Sequence, residues 1–299
     1  MKLLVTGAAG FLGGEIVRLA LERGLAVRAL VYSATDAQSL GLGQDRVFPI
    51  DLGGDADLAP AVAGVEGVIH CAAITSAHAP DENLSRRVNV EGTRRLLAAA
   101  RAAGARRWVQ ISSMSAHPAS TSVYGRTKLA ADEAVRASTP PPQWTILQPS
   151  LIYGPGRKGL VYKTLSMMKR LPVTPIVGSG REPIRPVYVA DVADAALRCL
   201  ADEVAVGKTY MLGGADEVTL REFLARLARG RGLRRPALPL PIWICLILAK
   251  LGALVVKSPP LTTDNVLGVR EARRVDIGAA QRDWGFDPLG LDEGLRRTL

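Results

Sequence analysis

The chain has 299 residues, of which 48% are hydrophobic and 22% are charged, so it can bury a sizeable core, and its composition excludes a disordered chain. The formal net charge of +10 favours anionic ligands, but the basic residues are scattered and not interleaved with aromatic residues, which argues against a nucleic-acid interface. The three cysteines, Cys71, Cys199 and Cys245, and the three histidines show neither disulfide nor metal-ligand spacing, so we expect a reducing, cytoplasmic environment and no metal site.

Along the first half of the chain, short apolar runs alternate with amphipathic stretches. The apolar runs predict buried strands at Lys2–Thr6, Ala26–Tyr32, Val47–Ile50, Gly67–Cys71, Trp108–Ser112 and Trp144–Leu147. The amphipathic stretches predict helices at Phe11–Arg23, Asn83–Ala103 and Val123–Ser138. Strands that alternate with helices indicate an α/β fold with a parallel sheet and right-handed crossovers. The run Leu3–Val5 is too short for an export signal, and no uncharged apolar run of about 18 residues predicts a transmembrane helix.

After Pro149 the pattern changes, because glycine and proline clusters replace the regular alternation up to about residue 180. Helices are predicted at Ala190–Ala201 and Leu220–Arg229, with a strand at Lys208–Leu212 between them. We therefore expect residues 151–299 to form mainly a substrate-binding region, partly interleaved with the sheet.

The turn between the first predicted strand and the first predicted helix contains three glycines. Gly7 permits a tight turn, Gly10 allows the backbone to approach a pyrophosphate, and Gly13 lets the helix lie close to the sheet. The helix N-terminus then offers N–H groups and a partial positive charge to the phosphates. In this strand–turn–helix context the glycines predict that residues 1–150 form a dinucleotide-binding domain.

Tyr124 and Lys128 lie four residues apart in the helix predicted over Val123–Ser138, so they share one helix face. The ammonium of Lys128 is expected to lower the pKa of Tyr124 from about 10 toward neutrality. Such a tyrosine can move a proton to or from a substrate oxygen, while a nicotinamide cofactor exchanges a hydride with the carbon. The pair therefore predicts a general acid/base site.

The G-x-x-G-x-x-G spacing of the turn resembles that of the extended short-chain dehydrogenase/reductase superfamily, which includes NAD-dependent epimerases and dehydratases and 3β-hydroxysteroid dehydrogenases. Similar segments run along nearly the whole chain, at Asp51–Leu52, His70–Ala73, Val88–Thr93, Leu147–Gly156, Arg185–Ala193 and Asp283–Leu295. The resemblance implies a Rossmann-type doubly wound parallel sheet with a smaller, interleaved C-terminal region. It also implies an enzyme that acts on a hydroxyl or keto group.

The resemblance further implies which residues form the site. Ser113, at the end of the fifth predicted strand, would hydrogen-bond the reacting oxygen, with Tyr124 as the general acid/base and Lys128 beside it. The implied dinucleotide contacts are Gly7, Ala9, Gly10, Phe11, Leu12, Gly13, Tyr32, Asp51, Leu52, Cys71, Ala72, Ala73, Asn89, Ser112, Tyr124, Lys128, Pro149, Ser150 and Ile152.

The loop before Tyr124 departs from the family pattern, because only ten residues separate Ser113 from Tyr124. Epimerases and steroid dehydrogenases usually carry a longer insert there, and the shorter loop resembles the atypical branch, some of whose members bind the dinucleotide without converting it. Two hypotheses follow. One is an NAD(P)-dependent oxidoreductase or epimerase/dehydratase-like enzyme, and the alternative is a non-catalytic dinucleotide-binding regulatory or assembly protein.

The substrate class also has two interpretations, a nucleotide-sugar or a sterol-like, apolar alcohol or ketone. Recognition of a pyrophosphate needs basic residues in the late loops, and four are present, at Arg157, Lys158, Arg181 and Arg185. The apolar segment 237–256 and the short loop before Tyr124 favour the apolar substrate instead.

The residues after the second predicted strand bear on the choice between NAD and NADP. An acid there would accept a hydrogen bond from the ribose of NAD, and an arginine would pair with the 2′-phosphate of NADP. The chain has Tyr32 and Ser33 at this point, with Asp36 further on and Arg28 inside the strand. Because no acid would repel the phosphate, the sequence favours NADP over NAD.

The segment 237–256 is almost entirely apolar, with Pro239, Pro241 and Lys250 as interruptions. We favour a helix that covers the substrate pocket. Two other interpretations are an interfacial helix that makes a peripheral membrane contact and collects an apolar substrate, and a dimer-forming face. The family resemblance implies a homodimer built instead from Asn83–Ala103 and Val123–Ser138.

Overall fold

The computed structural model describes residues 1–75, 81–138, 143–156, 159–255, 261–270 and 273–299. Within these ranges the strands are β1 Lys2–Thr6, β2 Ala26–Val31, β3 Val47–Pro49, β4 Gly67–His70, β5 Arg107–Ile111, β6 Gln143–Pro149, β7 Ile152–Tyr153, β8 Thr174–Val177, β9 Pro183–Ile184, β10 Val187–Tyr188, β11 Lys208–Leu212, β12 Val218–Thr219 and β13 Ala237–Leu240.

The helices in the same ranges are α1 Phe11–Glu22, α2 Ala34–Gln38, α3 Ala59–Val62, α4 Glu82–Arg86, α5 Gly92–Ala102, α6 Val123–Arg136, α7 Gly159–Arg170, α8 Val189–Ala201, α9 Leu220–Gly230, α10 Ile242–Val255, α11 Thr263–Arg270, α12 Gly278–Trp284 and α13 Leu291–Thr298. A π-helical turn, Arg87–Glu91, joins α4 to α5, and 3₁₀ turns lie at Gln44–Arg46 and Glu203–Ala205.

Seven parallel strands form one sheet in the order β11–β6–β5–β4–β1–β2–β3. The chain first builds outward from β1 to β3 and then returns to place β4 on the other side of β1. At such a reversal, the carboxyl ends of the two strands border a crevice in which α/β proteins bind nucleotides. The expected Rossmann-type α/β fold is confirmed.

Both faces of the sheet are covered, because neighbouring residues of each strand point to opposite sides. Leu3 and Val5 pack in a cluster with Ile16 of α1 on one face, and Leu4 packs in a cluster with Leu96 of α5 on the other. This double burial is the physical reason that the strands read as continuous apolar runs.

The predicted elements of the first half are present with small changes in their bounds. The helix predicted over Asn83–Ala103 is interrupted by the π-helical turn, which lies in the middle of it. A π-turn adds one residue to the helical repeat and so changes which side chains face the interior. Asn89, inside this turn, is buried.

The region after Pro149 contains β11, which pairs with β6 at the edge of the main sheet. The remaining strands there form three separate pairs, β7 with β10, β9 with β12, and β8 with β13. Helix α7 lies in the stretch whose glycines and prolines had suggested only turns. Tyr153, Phe223 and Leu295 belong to a separate apolar cluster of this region.

The apolar segment 237–256 forms β13 and α10, with Val256 outside the described residues. One side of α10 is buried at Cys245 and Ala249, and α11 packs against the helix. The other side leaves large apolar residues exposed, namely Trp243, Ile247, Leu248 and Leu251. No helix in the described ranges is both long and apolar enough to cross a membrane.

Candidate active site

The glycine turn leaves β1 through Gly7, whose φ of 64° is accessible to glycine without strain. A Cβ on Gly7 would lie 2.9 Å from the backbone of Ala72, so the turn packs directly against the end of β4. A Cβ on Gly13 would lie 2.1 Å from the Gly7 carbonyl oxygen. Gly13 therefore brings the first turn of α1 against the turn itself, whereas the sequence had predicted close packing against the sheet.

The N-terminus of α1 is open to a ligand. Its N-cap residue is Gly10, which has no side chain to bond the first N–H groups of the helix. A Cβ on Gly10 would also meet the Gly7 carbonyl oxygen at 2.9 Å. Free N–H groups and the helix dipole at such a position suit the phosphates of a dinucleotide, so the cradle fits the expected cofactor.

Ser113 and Tyr124 come together at the carboxyl end of β5. The Ser113 hydroxyl, which accepts from Ser115 N at 3.2 Å, adjoins the Tyr124 phenol and lowers its pKa. Burial has the larger, opposite effect, and the carboxylate of Asp132 adds to it, so the pKa of Tyr124 is raised to about 12. The expected lowering of this pKa by Lys128 is not found, because burial outweighs the other effects on the phenol.

Lys128 is buried behind Tyr124, with its Nζ donating to the Ile111 carbonyl oxygen at 2.6 Å. Burial lowers the pKa of Lys128, while the nearby Asp132 carboxylate and Cys71 thiol raise it. Burial likewise raises the pKa of Asp132, and Lys128 and a hydrogen bond from Ser112 lower it. Lys128 and Asp132 therefore form a coupled buried pair at the end of β5.

Asp132 is a site residue that the sequence analysis missed. It is fully buried, it accepts from Ser112 Oγ at 2.6 Å, and its Oδ1 has no hydrogen-bond partner among the described residues. Tyr124, Lys128 and Asp132 are successive four-residue steps on one face of α6, and this spacing was the signal available in the sequence. The Ser112 hydroxyl is directed to Asp132, and the expected contact of Ser112 with the cofactor stays a prediction.

Asn89 was also expected to contact the cofactor, but its amide is occupied by protein partners. Its Oδ1 accepts from Ile74 N at 2.8 Å, and its Nδ2 donates to Ile74 O and to Thr127 Oγ1, both at 3.0 Å. Because both amide hydrogens are used, Asn89 braces the segment after β4 against α6. It acts on the site through these two segments.

His70, the last residue of β4, lies between two threonines. Its Nδ1 is 2.6 Å from Thr6 Oγ1 and its Nε2 is 2.9 Å from Thr93 Oγ1. Thr93 donates its own hydrogen to the Asn89 carbonyl oxygen at 2.7 Å, which assigns the ring proton to Nε2. Burial, with a smaller effect of Lys128, lowers the pKa of His70 to about 3, so the ring is neutral.

Cys71, Ala72 and Ala73 follow β4 and border the crevice. Ala72 N donates to Thr6 Oγ1 at 3.2 Å, which fixes the start of this segment to β1. Burial raises the pKa of the Cys71 thiol to about 12, and Lys128 opposes this shift. These contacts bring the end of β4 between the glycine turn and Lys128.

The segment after β6 joins the same edge of the sheet. The Pro149 carbonyl accepts from Met114 N at 3.1 Å, and Ser150 N donates to Leu212 O at 2.9 Å. The Ser150 hydroxyl donates to the Arg185 carbonyl, and Ile152 pairs with Val187. A Cβ on Gly154 would lie 3.4 Å from the Phe11 ring, so this loop packs against the start of α1.

The sequence predicted no acid at the tip of β2, but the structure places one nearby. Tyr32 is 73% exposed, while Arg28 is bonded to the carbonyls of Pro60 and Ala61 and faces away from the tip. Ser33 Oγ donates to the Asp36 carboxylate at 2.9 Å. An acidic group therefore does lie next to the strand tip, although four positions separate it from Tyr32 in the sequence.

Asp51 and Leu52 follow β3. The carboxylate of Asp51 is exposed and accepts from Gly53 N at 2.8 Å, while Leu52 is buried. A Cβ on Gly92 would lie 2.9 Å from the Leu52 carbonyl oxygen, so the start of α5 packs on this segment. The Asp51 carboxylate is therefore accessible to a ligand at the end of β3.

Of the four basic residues expected to bind a pyrophosphate, the structure describes Arg181 and Arg185. The guanidinium of Arg185 donates to the carbonyls of Val275 and Ala215, at 3.4 and 3.2 Å. Arg181 is exposed, and Arg157 and Lys158 lie outside the described residues. An open apolar hollow of about 600 Å³ lies beside the start of α10, lined by Gly178, Ser179, Pro241, Ile242, Trp243 and Leu246. The last four belong to the segment 237–256 that was expected to cover the substrate pocket. In the described ranges, no three potential ligand side chains cluster as a metal site.

Comparisons with known proteins show the family and the fold of the chain. The model of the NAD dependent epimerase/dehydratase family matches residues 3–213. The chain is 30% identical to a 2-alkyl-3-oxoalkanoate reductase of Stenotrophomonas maltophilia, over 99% of this chain and 98% of the relative. It is 32% identical to a ceramide reductase of Caulobacter vibrioides, over 97% of this chain and 88% of the relative.

Among solved structures, the fold is similar to that of a Thermus thermophilus UDP-glucose 4-epimerase in complex with NAD, with a TM-score of 0.76 and 25% identity over 100% of this chain and 97% of that one. It is also similar to a Bacillus cereus UDP-glucuronic acid 4-epimerase, with a TM-score of 0.77 and 19% identity over 99% and 97% of the two chains. At 19% identity the second likeness shows the fold alone.

Proposed function

We propose that this chain, which belongs to the NAD dependent epimerase/dehydratase family, is an oxidoreductase that reduces an apolar ketone with Tyr124 as the proton donor. The family and the names of the relatives support a catalytic, nicotinamide-dependent enzyme over a non-catalytic binding protein. The observation that carries the proposal is the placement of Ser113, Tyr124 and the buried Lys128 together at the carboxyl end of β5, at the edge of the nucleotide crevice.

The glycine turn and the N-terminus of α1 would hold the pyrophosphate of the dinucleotide, and the segments after β4 and β6 would border its nicotinamide end. When bound, the cofactor supplies the hydride. Ser113 orients the substrate oxygen by a hydrogen bond, and the Tyr124 hydroxyl donates its proton to that oxygen as negative charge develops there. The raised pKa of Tyr124 keeps this proton in place at neutral pH, which favours the direction of reduction.

Lys128 and Asp132 support Tyr124 from within the protein. The bond from Lys128 to the Ile111 carbonyl ties α6 to the end of β5, two residues before Ser113. A positive charge on Lys128, balanced by Asp132, would stabilise the phenolate that Tyr124 becomes after proton donation. We propose this electrostatic role for Lys128 during turnover.

An apolar substrate is supported by three observations. Two nitrogens of the Arg185 guanidinium are engaged by backbone carbonyls, which leaves it fewer donors for a substrate phosphate. The region 151–299, which we propose to bind the substrate, contains an open apolar hollow beside the start of α10. The matched relatives include a ceramide reductase and a sterol demethylase protein B. We therefore place an apolar ketone ahead of a nucleotide-sugar.

The test is turnover of ethyl 3-oxododecanoate, a 3-ketosteroid and a UDP-hexose, each with NADPH and with NADH. We expect reduction of the apolar ketones and no conversion of the UDP-hexose. Tyr124→Phe should lower kcat by about 10²- to 10⁴-fold with the dinucleotide Kd unchanged, while Tyr162→Phe, which removes an exposed hydroxyl on α7, should have no effect. Undiminished turnover in Tyr124→Phe would refute the role of Tyr124.

For the cofactor we propose NADP ahead of NAD, as the absence of an acid at position 32 suggests. Asp36 opposes this preference, because its carboxylate lies beside Ser33. We expect Asp36→Asn to raise NADPH affinity by about tenfold, as for a charge interaction of about 1.4 kcal/mol, with NADH affinity unchanged. Calorimetry measures both, and Asp45→Asn, at an exposed acid, is the control. Tighter binding of NADH than of NADPH to the unaltered protein would reverse the proposal.

We also propose that the exposed side of α10 makes a peripheral contact with an anionic lipid surface, through which an apolar substrate arrives. The support is the apolar row on α10 together with the exposed basic residues Lys250 and Arg234 near it in the chain and the net charge of +10.

A cytoplasmic homodimer that pairs through α4–α6 is a further proposal, supported by the family resemblance. Light scattering would then give twice the chain mass of 31.8 kDa. A single monomer mass at micromolar concentration would contradict it.

A further inference from the structure

Helix α11 lies between the apolar helix α10 and the helix that carries Tyr124. It packs against both α10 and α6, and Val266 on it is fully buried. Thr262 caps its start, because Thr262 Oγ1 accepts from Asn265 N at 3.1 Å. The next residue but one, Asp264, is only 7% exposed, so its carboxylate is directed into the protein.

The carboxylate of Asp264 binds the first turn of α6. Its Oδ1 accepts from Val123 N at 3.2 Å and its Oδ2 accepts from Tyr124 N at 2.9 Å. Ser122 Oγ accepts from the next N–H, that of Gly125, at 3.0 Å. The first turn of α6 contains no acid of its own, so α11 provides the negative charge that a helix N-terminus favours.

We propose that Asp264 is a positioning residue for Tyr124, through which the substrate-binding region sets the place of the proton donor. This inference rests on the proposed function of Tyr124. The bond to Tyr124 N holds the backbone of that residue, and the phenol oxygen must lie within hydrogen-bond distance of the substrate to transfer a proton. Because a displacement of about 1 Å can lower a rate by about a hundredfold, the anchor of Tyr124 affects kcat more than binding.

The arrangement also joins two parts of the chain that are 140 positions apart. A substrate in the hollow beside the start of α10 would contact the helix against which α11 packs. Asp264 would carry a resulting shift of α11 to the first turn of α6. The proposed surface for the apolar part of the substrate would thereby be coupled to the proton donor.

The experiment compares Asp264→Ala and Asp264→Asn with a matched control, Asp216→Asn. Asp216 is a suitable control because its Oδ2 also accepts from the first N–H of a helix, that of Leu291 in α13, at 2.6 Å.

With NADPH and ethyl 3-oxododecanoate, we expect kcat to fall by about tenfold or more in Asp264→Ala and by less in Asp264→Asn, which keeps one carbonyl acceptor. The KM and the NADPH Kd should stay within about twofold. A loss in kcat no larger than that of Asp216→Asn, or a loss confined to KM, would overturn the proposal.

A second measurement needs no turnover. In protein labelled with [¹³Cζ]tyrosine, the resonance of Tyr124 is identified by its loss in Tyr124→Phe. We expect this resonance to shift in Asp264→Asn, and the amides of Val123 and Tyr124 to exchange faster with solvent, while Asp216→Asn leaves both unchanged. If the unaltered protein reduces no ketone, the proposed function fails on its own. If the Tyr124 resonance and the two amides do not respond to Asp264, the positioning role fails.

Discussion

The two halves of the chain hold their strands together to different extents. In the first half, β1 pairs with β2 at five successive positions, from Lys2 to Thr6. After Pro149, β11 joins the main sheet at five positions of β6, but the other strands form separate pairs, with four positions in β8–β13 and two each in β7–β10 and β9–β12. The first half is therefore one continuous sheet, which we propose as the rigid frame for the dinucleotide. Most strands of the second half lie in small pairs, which tolerate variation in a substrate pocket.

Exposed apolar side chains follow the same division. In the first half they are scattered and well separated along the chain, as Leu21 and Leu84 illustrate. In the second half they are concentrated on α10 at Trp243, Ile247, Leu248 and Leu251. A contiguous apolar row of this kind marks a surface that contacts something other than water. Substitutions in the two halves should therefore have very different effects on stability.

The largest effect is expected at the glycine turn. In Gly13→Ala the new Cβ would lie 2.1 Å from the Gly7 carbonyl oxygen and 2.8 Å from its carbon, so the backbone must move. We expect the free energy of unfolding to fall by about 3 kcal/mol or more, as for other overpacked or strained sites, and dinucleotide binding to be lost. Urea unfolding and calorimetry measure the two effects.

Gly14→Ala is the matched control, because a Cβ there meets nothing closer than 3.5 Å. Alanine is the better helix former, so this variant should gain up to about 1 kcal/mol and still bind the dinucleotide. Equal free energies of unfolding for the two variants would show that the glycine turn adapts to a new Cβ, and would contradict a rigid first half.

A smaller, pH-dependent effect is expected at His70, in the interior of the frame. Its pKa is about 3 in the folded protein and about 6.5 in the unfolded chain. Between these values only the unfolded chain binds the proton, so stability is complete above pH 6.5 and is lost as the pH falls toward 3. This group alone contributes a loss of about 1.4 kcal/mol per pH unit.

His70→Gln should be less stable at pH 7.5, because one of the bonds to Thr6 and Thr93 is weakened, but its stability should fall less steeply between pH 6.5 and 5. Urea midpoints at several pH values give the two slopes. Parallel slopes would mean that the imidazole is not held neutral in the folded protein.

Much of the frame could be predicted from local patterns. The apolar runs and the glycine spacing predict β1, β2 and the turn, because parallel strands covered on both faces and a tight turn constrain residue types directly. Helix α7 was missed, since glycines and prolines surround a stretch that has no clear capping residue. The π-helical turn, which lies within a continuous helical pattern, was also missed.

The site could be predicted only in part, since the partners of its residues are distant in the sequence. The i, i+4 spacing identifies the face of Tyr124 and Lys128, but it does not show that Lys128 bonds the Ile111 carbonyl, nor that Ser112 faces Asp132. The carboxylate of Asp264 reaches Tyr124 N across 140 positions, and no local pattern encodes this contact. The roles of Ser113, Tyr124 and Lys128 in catalysis stay predictions.

The smallest effect on stability is expected on the exposed side of α10. Ile247 and Leu251 are 49% and 55% exposed, so the double substitution to serine should change the free energy of unfolding by no more than about 1 kcal/mol, about half of it from each residue. Leu21→Ser, at a 37% exposed leucine of α1, is the control for loss of a surface leucine. If α10 contacts lipid, the double variant should lose binding to vesicles of mixed phosphatidylserine and phosphatidylcholine in a sedimentation assay, while Leu21→Ser keeps it. Unchanged sedimentation would contradict the lipid contact and leave α10 only as a cover of the substrate pocket. A loss of about 2 kcal/mol or more in the free energy of unfolding would mean that these two side chains are buried in solution, as in a dimer.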